Sequence, residues 1–215
     1  LAELITQKSS YTGHVHVIRN AVDIPEASPG EMLNAPEISF GFFANRVLDS
    51  RKGFMRVLPF IRHLRDLNVM VKVWAFGNIN NSQKVAMDGV DIRYPGTFLR
   101  EELPSVMRLI DILLCPSSED NSPNAVCEAL SYGKPVIAQS GTGMDSYVDY
   151  TTGALVDFSN AGRAGLDEFY RLTSAIVESY GSFSSSARQY AAGHLSFERV
   201  GHAYTDLYRR ILDEG

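Results

Sequence analysis

The sequence predicts an α/β protein built on a doubly wound parallel sheet with helices on both faces. Three observations carry this. Strand-length stretches recur at residues 38–43, 70–76, 90–94, 110–115 and 136–138, and the apolar run at 110–115 has the length and composition of a strand buried on both sides. Between them lie stretches with apolar residues at helical spacing, as in Phe54, Val57, Leu58, Ile61 and Leu64. Gly, Pro and Asn punctuate the joins, and strand and helix alternate as a doubly wound sheet requires.

In chain order, residues 2–10 are polar and weakly helical, and 15–18 alternate as a short strand. His14 and His16 share a face of that strand and could chelate a metal. An exposed edge is the simpler reading, because no further ligand cluster is visible. Residues 25–36 read as loop. The strand at 38–43 is followed by a polar loop, 44–52, carrying Arg46, Arg51 and Lys52. A helix starts near Gly53, with Pro59 inside it as an expected kink. Positive charge just before a helix N-terminus opposes the macrodipole. It becomes favourable when an anion such as a diphosphate lies between them. A solvated basic loop is the alternative. The strand at 70–76 ends at Gly77, and Trp74 within it reads as core. A short helix at 81–87, the strand at 90–94, a loop at 95–97 and a helix at 101–109 follow.

The stretch at 113–143 is the most informative. The apolar run at 110–115 stops at Pro116. Ser122 suits a cap and Pro123 the first helical position. The helix runs to Tyr132 and ends at Gly133, with Pro135 beyond. Ala125, Val126, Ala129 and Leu130 share one face; Asn124, Glu128 and Ser131 share the other. Asp120 precedes the helix, with seven residues between it and Glu128. Ligands of open α/β sheets bind where strands exit. Acids placed there can accept hydrogen bonds from sugar hydroxyls, or can be solvated helix-start acids. A strand at 136–138 leads to the loop Gly141-Thr142-Gly143. Helices follow at 166–180, 184–192 and 196–212, the last with Val200, Tyr204, Leu207, Tyr208 and Ile211 on one face.

Composition bounds the reading. The chain has 215 residues, about one domain, and its 45% hydrophobic content supports a sizeable core. The net charge of −5 gives no support for a nucleic-acid surface. No apolar run approaches a membrane span, and no signal-peptide pattern is present. Cys115 and Cys127 read as buried thiols in a reducing compartment, hence a cytoplasmic location.

Taken together, Pro116-Ser117, the acid Asp120, Pro123-Asn124, Glu128-Ala129-Leu130, Gly133 and Pro135-Val136 resemble the donor-site signature of group 1 retaining glycosyltransferases of the GT-B fold. The hallmark of that family is two acids separated by seven residues. Its first acid is usually Glu, so Asp120 is a departure. Arg46 and Lys52-Gly53 resemble the family's basic loop, with Asn45 where Gly is common; Arg51 is the alternative phosphate ligand. Residues 15–23 resemble the family's hinge segment, with Ala21 for Gly. Residues 152–156 and the start at 196–200 resemble its later motifs. Ser146 stands where the family commonly has Glu, an acid that is missing or moved to Asp145.

The resemblance implies a Rossmann-like nucleotide-sugar-binding domain at 25–195. Residues 1–24 would be a hinge and a remnant of an N-terminal half. Residues 196–215 would form a helix returning toward that acceptor-binding half, or, left bare, a face for self-association. Arg46 and Lys52 would stabilise the leaving diphosphate, Asp120 would orient the sugar, and Glu128 would accept from the ribose. Ser122, Asn124, Gly96, Thr97, Gly143 and Met144 would complete the donor site, the loop at 94–97 touching the base mainly through backbone. The implied reaction transfers a sugar from a nucleoside diphosphate sugar to an acceptor hydroxyl, in keeping with polysaccharide synthesis, with no metal or other cofactor in this half. Membrane contact would come only through the absent half. The alternatives are an epimerase-like GT-B enzyme and a non-catalytic nucleotide-binding module.

Overall fold

A computed structural model describes residues 15–26, 36–120 and 123–213. Among these, six strands form one sheet: β1 (Ile38–Arg46), β2 (Val71–Asn78), β3 (Asp91–Gly96), β4 (Ile112–Cys115), β5 (Val136–Gln139) and β6 (Gly153–Val156). The order is β3-β2-β1-β4-β5-β6, and every pairing is parallel. The helices are α1 (Phe54–Asp66), α2 (Leu103–Met107), α3 (Asn124–Ser131), α4 (Arg163–Glu178), α5 (Tyr180–His194) and α6 (Phe197–Asp213). This is the Rossmann-like architecture that the apolar runs predict.

Strand side chains point alternately to two faces, and each face carries its own core. Phe40, Phe42, Ile112, Leu114, Ile137, Ala154 and Val156 join one with Phe60 of α1 and Phe169 of α4. Leu113, Val136 and Ala138 join the other with Leu130 of α3 and Ala187 of α5. Both faces are covered over β4 and β5, which read as unbroken apolar runs, whereas β2 and the edge strand β3 carry Lys72, Asp91 and Arg93 among their apolar residues.

The seam between β1 and β4 is narrow, with only Phe40–Ile112 and Gly41–Leu113 in register. Asp111 reinforces it. Its N–H donates to Ser39 O at 2.7 Å, and its carboxylate accepts the Ser39 N–H at 2.9 Å. The Tyr180 hydroxyl donates to Asp111 O at 2.8 Å. A side chain at Gly41 would meet Ile110 at 2.6 Å, so the seam requires glycine there.

Several local expectations change. Residues 15–18 form no strand; the amino-terminal segment is held at Val22, which bridges to Ser196 and donates to Leu195 O at 2.8 Å. His14 lies outside the described residues, as do 2–10. The helix expected at 81–87 is one 3₁₀ turn, Asn81–Gln83. The Tyr94 hydroxyl takes the Val85 N–H and donates to Val85 O, at 3.1 and 2.9 Å, so a side chain satisfies backbone groups that a helix would have paired. The helix at 101–109 shortens to α2, preceded by a 3₁₀ turn at Arg100–Glu102. Pro59 sits in α1 without ending it. Pro123 stands just before α3, not at its first position.

Lys134, after α3, is fully buried, and its ammonium has no hydrogen bond. Burial pulls its pKa down to about 8, against the field of Asp111. Below that pH the fold must bury a charge. As pH rises from about 8 to the unfolded value of 10.5, the native state sheds the proton first, so stability rises across that window. Urea denaturation of wild type and Lys134→Met over this range should show wild type gaining about 3 kcal/mol relative to the variant. A constant difference between them would place the ammonium in contact with solvent.

Candidate functional site

Strand order reverses between β1 and β4, the place where open α/β sheets leave a crevice at the strands' carboxyl ends. The loop after β1 carries Lys52 into that crevice, and the loop after β4 carries Asp120. Their side chains meet at 2.7 Å between Nζ and Oδ2. The two loops are stitched by backbone: Ser118 N–H donates to Arg51 O at 2.9 Å. Arg56, in the first turn of α1, adds Nη2 bonds to Pro116 O at 2.6 Å and to Arg51 O at 3.3 Å.

Gly53 makes this approach possible. It precedes α1 with φ +79°, and an added Cβ would stand 2.6 Å from Pro116 O. Neither a side-chain cap nor an acid neutralises the first turn of α1. The helix's positive end is therefore available to an anion.

Lys52, Asp120, Asn124 and Thr97 line a cavity of about 430 Å³. One wall is aromatic: the rings of Phe43, Phe76 and Phe98 pack edge-to-face with centroids 5.3–5.5 Å apart. Glu128 opens onto an adjoining cavity of about 250 Å³, with Arg100 and Asp23, which pair at 3.0 Å. Asn124 lines both cavities, and its Oδ1 accepts from Asn20 Nδ2 at 2.8 Å. Burial raises the Glu128 pKa, opposed by the Arg100 charge. Its carboxylate therefore protonates at a higher pH than an ordinary glutamate.

The remaining expected site residues are spread around this centre. Arg46 ends β1 with an exposed side chain and lines neither cavity. Arg51 is held by Asp49 at 3.0 Å, and that bond holds the Asp49 carboxyl below its ordinary value. Gly96 ends β3 with φ +92°. Gly143 and Met144 belong to the 3₁₀ turn Gly143–Ser146 and line neither cavity. The Met144 side chain is buried, and its N–H donates to Thr142 Oγ1 at 3.3 Å. Asp145 accepts the Gly141 N–H on both oxygens at 3.2 Å. Ser146 O accepts from Arg19 and from the Tyr190 hydroxyl at 3.0 and 2.8 Å. Ser122 lies outside the described residues.

Both cysteines are free thiols. Burial is the main cause that pushes each up to about 12, with the Asp120 charge adding at Cys115 and the Glu128 charge at Cys127. Among the described residues, no three His, Cys, Asp or Glu side chains gather as a metal site. No helix among them is long and apolar enough to cross a membrane.

A family profile described as "Glycosyl transferases group 1" matches residues 39–172. That span runs from β1 into α4 and contains Lys52, Asp120 and Glu128. The chain belongs to the group 1 glycosyltransferases. Solved structures agree on the fold. Sucrose-phosphate synthase of Thermosynechococcus elongatus superposes with a TM-score of 0.75 at 17% identity, covering 99% of this chain and 56% of the synthase. The lipopolysaccharide outer core galactosyltransferase WaaB gives 0.75 at 14%, covering 97% and 59%. HepE of Anabaena, solved with UDP-glucose, gives 0.66 at 18%, covering 92% and 57%. The glycosyltransferase chain thus spans a little over half the length of these proteins. No curated protein sequence matches it.

Sequence reasoning missed three parts of this crevice and its surroundings. Arg56 had a signal, a cation three residues after Gly53. The aromatic wall had only scattered phenylalanines to announce it. Arg100 facing Glu128 had none, since the two are brought together by the turn before α2.

Gly53 and Gly96 separate backbone strain from close approach. Both have positive φ, but nothing lies within 4 Å of a Cβ at Gly96. Gly53→Ala should cost about 1–3 kcal/mol, and Gly96→Ala less, by chemical denaturation. Equal costs would mean that the Pro116 contact constrains nothing.

Proposed function

We propose that this chain is the donor-binding half of a retaining glycosyltransferase, which transfers a sugar from a nucleoside diphosphate sugar to an acceptor hydroxyl. The observation that carries the reading is the meeting of Lys52 and Asp120 in the β1–β4 crevice, beside the uncompensated start of α1. The cation and the helix end suit a diphosphate. The acid beside them suits the hydroxyls of the attached sugar.

In this reading Lys52 stabilises the charge that develops on the leaving diphosphate, the kind of term that dominates many enzymes, and Arg46 turns in from its exposed position at the end of β1 once the diphosphate is bound. Asp120 orients the sugar. Glu128 accepts from the ribose in the adjoining cavity, and Asn124, lining both cavities, lies between sugar and nucleoside. Thr97 and Gly96 border the base through backbone. The basic loop supplies the charge that a metal would otherwise bring, so donor binding needs no divalent cation. HepE, solved with UDP-glucose, supports the choice of donor class.

The domain organisation follows the same reading. Residues 25–195 are the donor domain, residues 1–24 lead to an acceptor-binding half, and residues 196–215 return toward it. On α6, Tyr204, Tyr208, Ile211 and Leu212 are exposed while Val200 is buried, which leaves an apolar face for that half or for a second copy of the chain. The reaction is placed in the cytoplasm, where nucleotide sugars and reduced thiols coexist, and serves polysaccharide synthesis.

Calorimetry against UDP, GDP, ADP and their sugars tests the reading, with EDTA and with magnesium. One nucleotide series should bind equally well in both. Lys52→Ala and Glu128→Ala should each weaken it by about 1.5–3 kcal/mol, and binding should weaken on acidification at a higher pH than an ordinary glutamate would set. Unchanged affinity in both folded variants would remove the site assignment.

A further inference from the structure

We infer that Asp120 makes the site discriminate against its own product, favouring the nucleotide sugar over the free nucleoside diphosphate. The inference rests on the donor-binding reading above and adds a role to Asp120 beyond holding the sugar.

The geometry is a cation already occupied by an anion. Lys52 Nζ lies 2.7 Å from Asp120 Oδ2, with side-chain exposures of 37% and 19%. Both side chains line the same cavity. Neither is free to move far at its base. Lys52 precedes Gly53, whose close fit to Pro116 O fixes the loop, and the Ser118–Arg51 bond and Arg56 tie the two loops together. A diphosphate that uses Lys52 must therefore share its ammonium with the Asp120 carboxylate.

The donor and the product differ at that point. In a nucleotide sugar the distal phosphate is a diester with a single charge, and sugar hydroxyls can donate to Asp120. In the free diphosphate that phosphate is terminal, with a second ionisation near a pKa of about 6. It carries more negative charge and offers no hydroxyls. The carboxylate then faces an anion with nothing between them except the shared lysine. Like charges held together disfavour binding. Asp120 thus raises the free energy of the product complex and leaves that of the donor complex lower, which speeds release after transfer.

Calorimetry on wild type, Asp120→Asn, Lys52→Ala and the double variant tests this. The probes are UDP, GDP and ADP, each against UDP-glucose, GDP-mannose or ADP-glucose, and thermal unfolding reports each variant's fold. Asp120→Asn should tighten the free diphosphate about tenfold while weakening the nucleotide sugar. In the Lys52→Ala background, adding Asp120→Asn should restore part of the lost diphosphate affinity. Diphosphate and nucleotide sugar shifting by one common factor would overturn the inference, as would a diphosphate that binds no tighter. In those cases nucleotide binding itself stands and the donor reading survives. Failure of every nucleotide to bind any folded variant would overturn both.

Discussion

The Asp111 clamp between β1 and β4 is the contact on which the site depends. Two register pairs join these strands, and a buried acid with a backbone partner on Ser39 and a tyrosine from α5 completes the seam. The crevice exists because strand order reverses here. The crevice is usable because the seam is tight enough to fix where both loops begin. A Cβ at Gly41 would stand 2.6 Å from the Ile110 side chain, so the strands close over glycine at this point. A larger residue there would part the strands below the site and move Lys52 from Asp120 without touching either.

Above the seam, the two loops are joined mainly by main-chain groups. Arg56 holds the carbonyls of Arg51 and Pro116, and Gly53 lets α1 start against that same Pro116 carbonyl. This divides the work between backbone and side chains. The carbonyls and N–H groups set the frame, and Lys52 and Asp120 stay part-exposed within it. Preorganisation of that kind keeps the electrostatic groups in place before a ligand arrives. The free thiols do not compete as nucleophiles at neutral pH, since burial keeps them protonated.

The sheet was legible where burial on both faces forces continuous apolar runs, as at β1, β4 and β5. Helix α3 was legible from its two-faced spacing and from Gly133, whose φ of +67° closes it. Residues 81–87 misled because a helix there competes with the Tyr94 hydroxyl, a tertiary partner that no local pattern reveals. Residues 15–18 misled because alternation predicts a strand only where an edge is free to receive it. Within the site, charge types were readable but their pairing was not. Lys52 and Asp120 are 68 positions apart, and spacing carries no record of which acid faces which base. The separation of Asp120 and Glu128 into adjoining cavities is likewise set by Asn124 and the turn at Arg100, not by their spacing along the chain.

The contact of Val22 with Leu195 and Ser196 has a mechanical consequence. It joins the amino-terminal segment to the point where α5 gives way to α6. The same short segment reaches Ser146 through Arg19 and Asn124 through Asn20. Residues 19–22 and the start of α6 are therefore mounted on one bracket. A force on either is delivered to the start of α3, at the boundary between the two cavities.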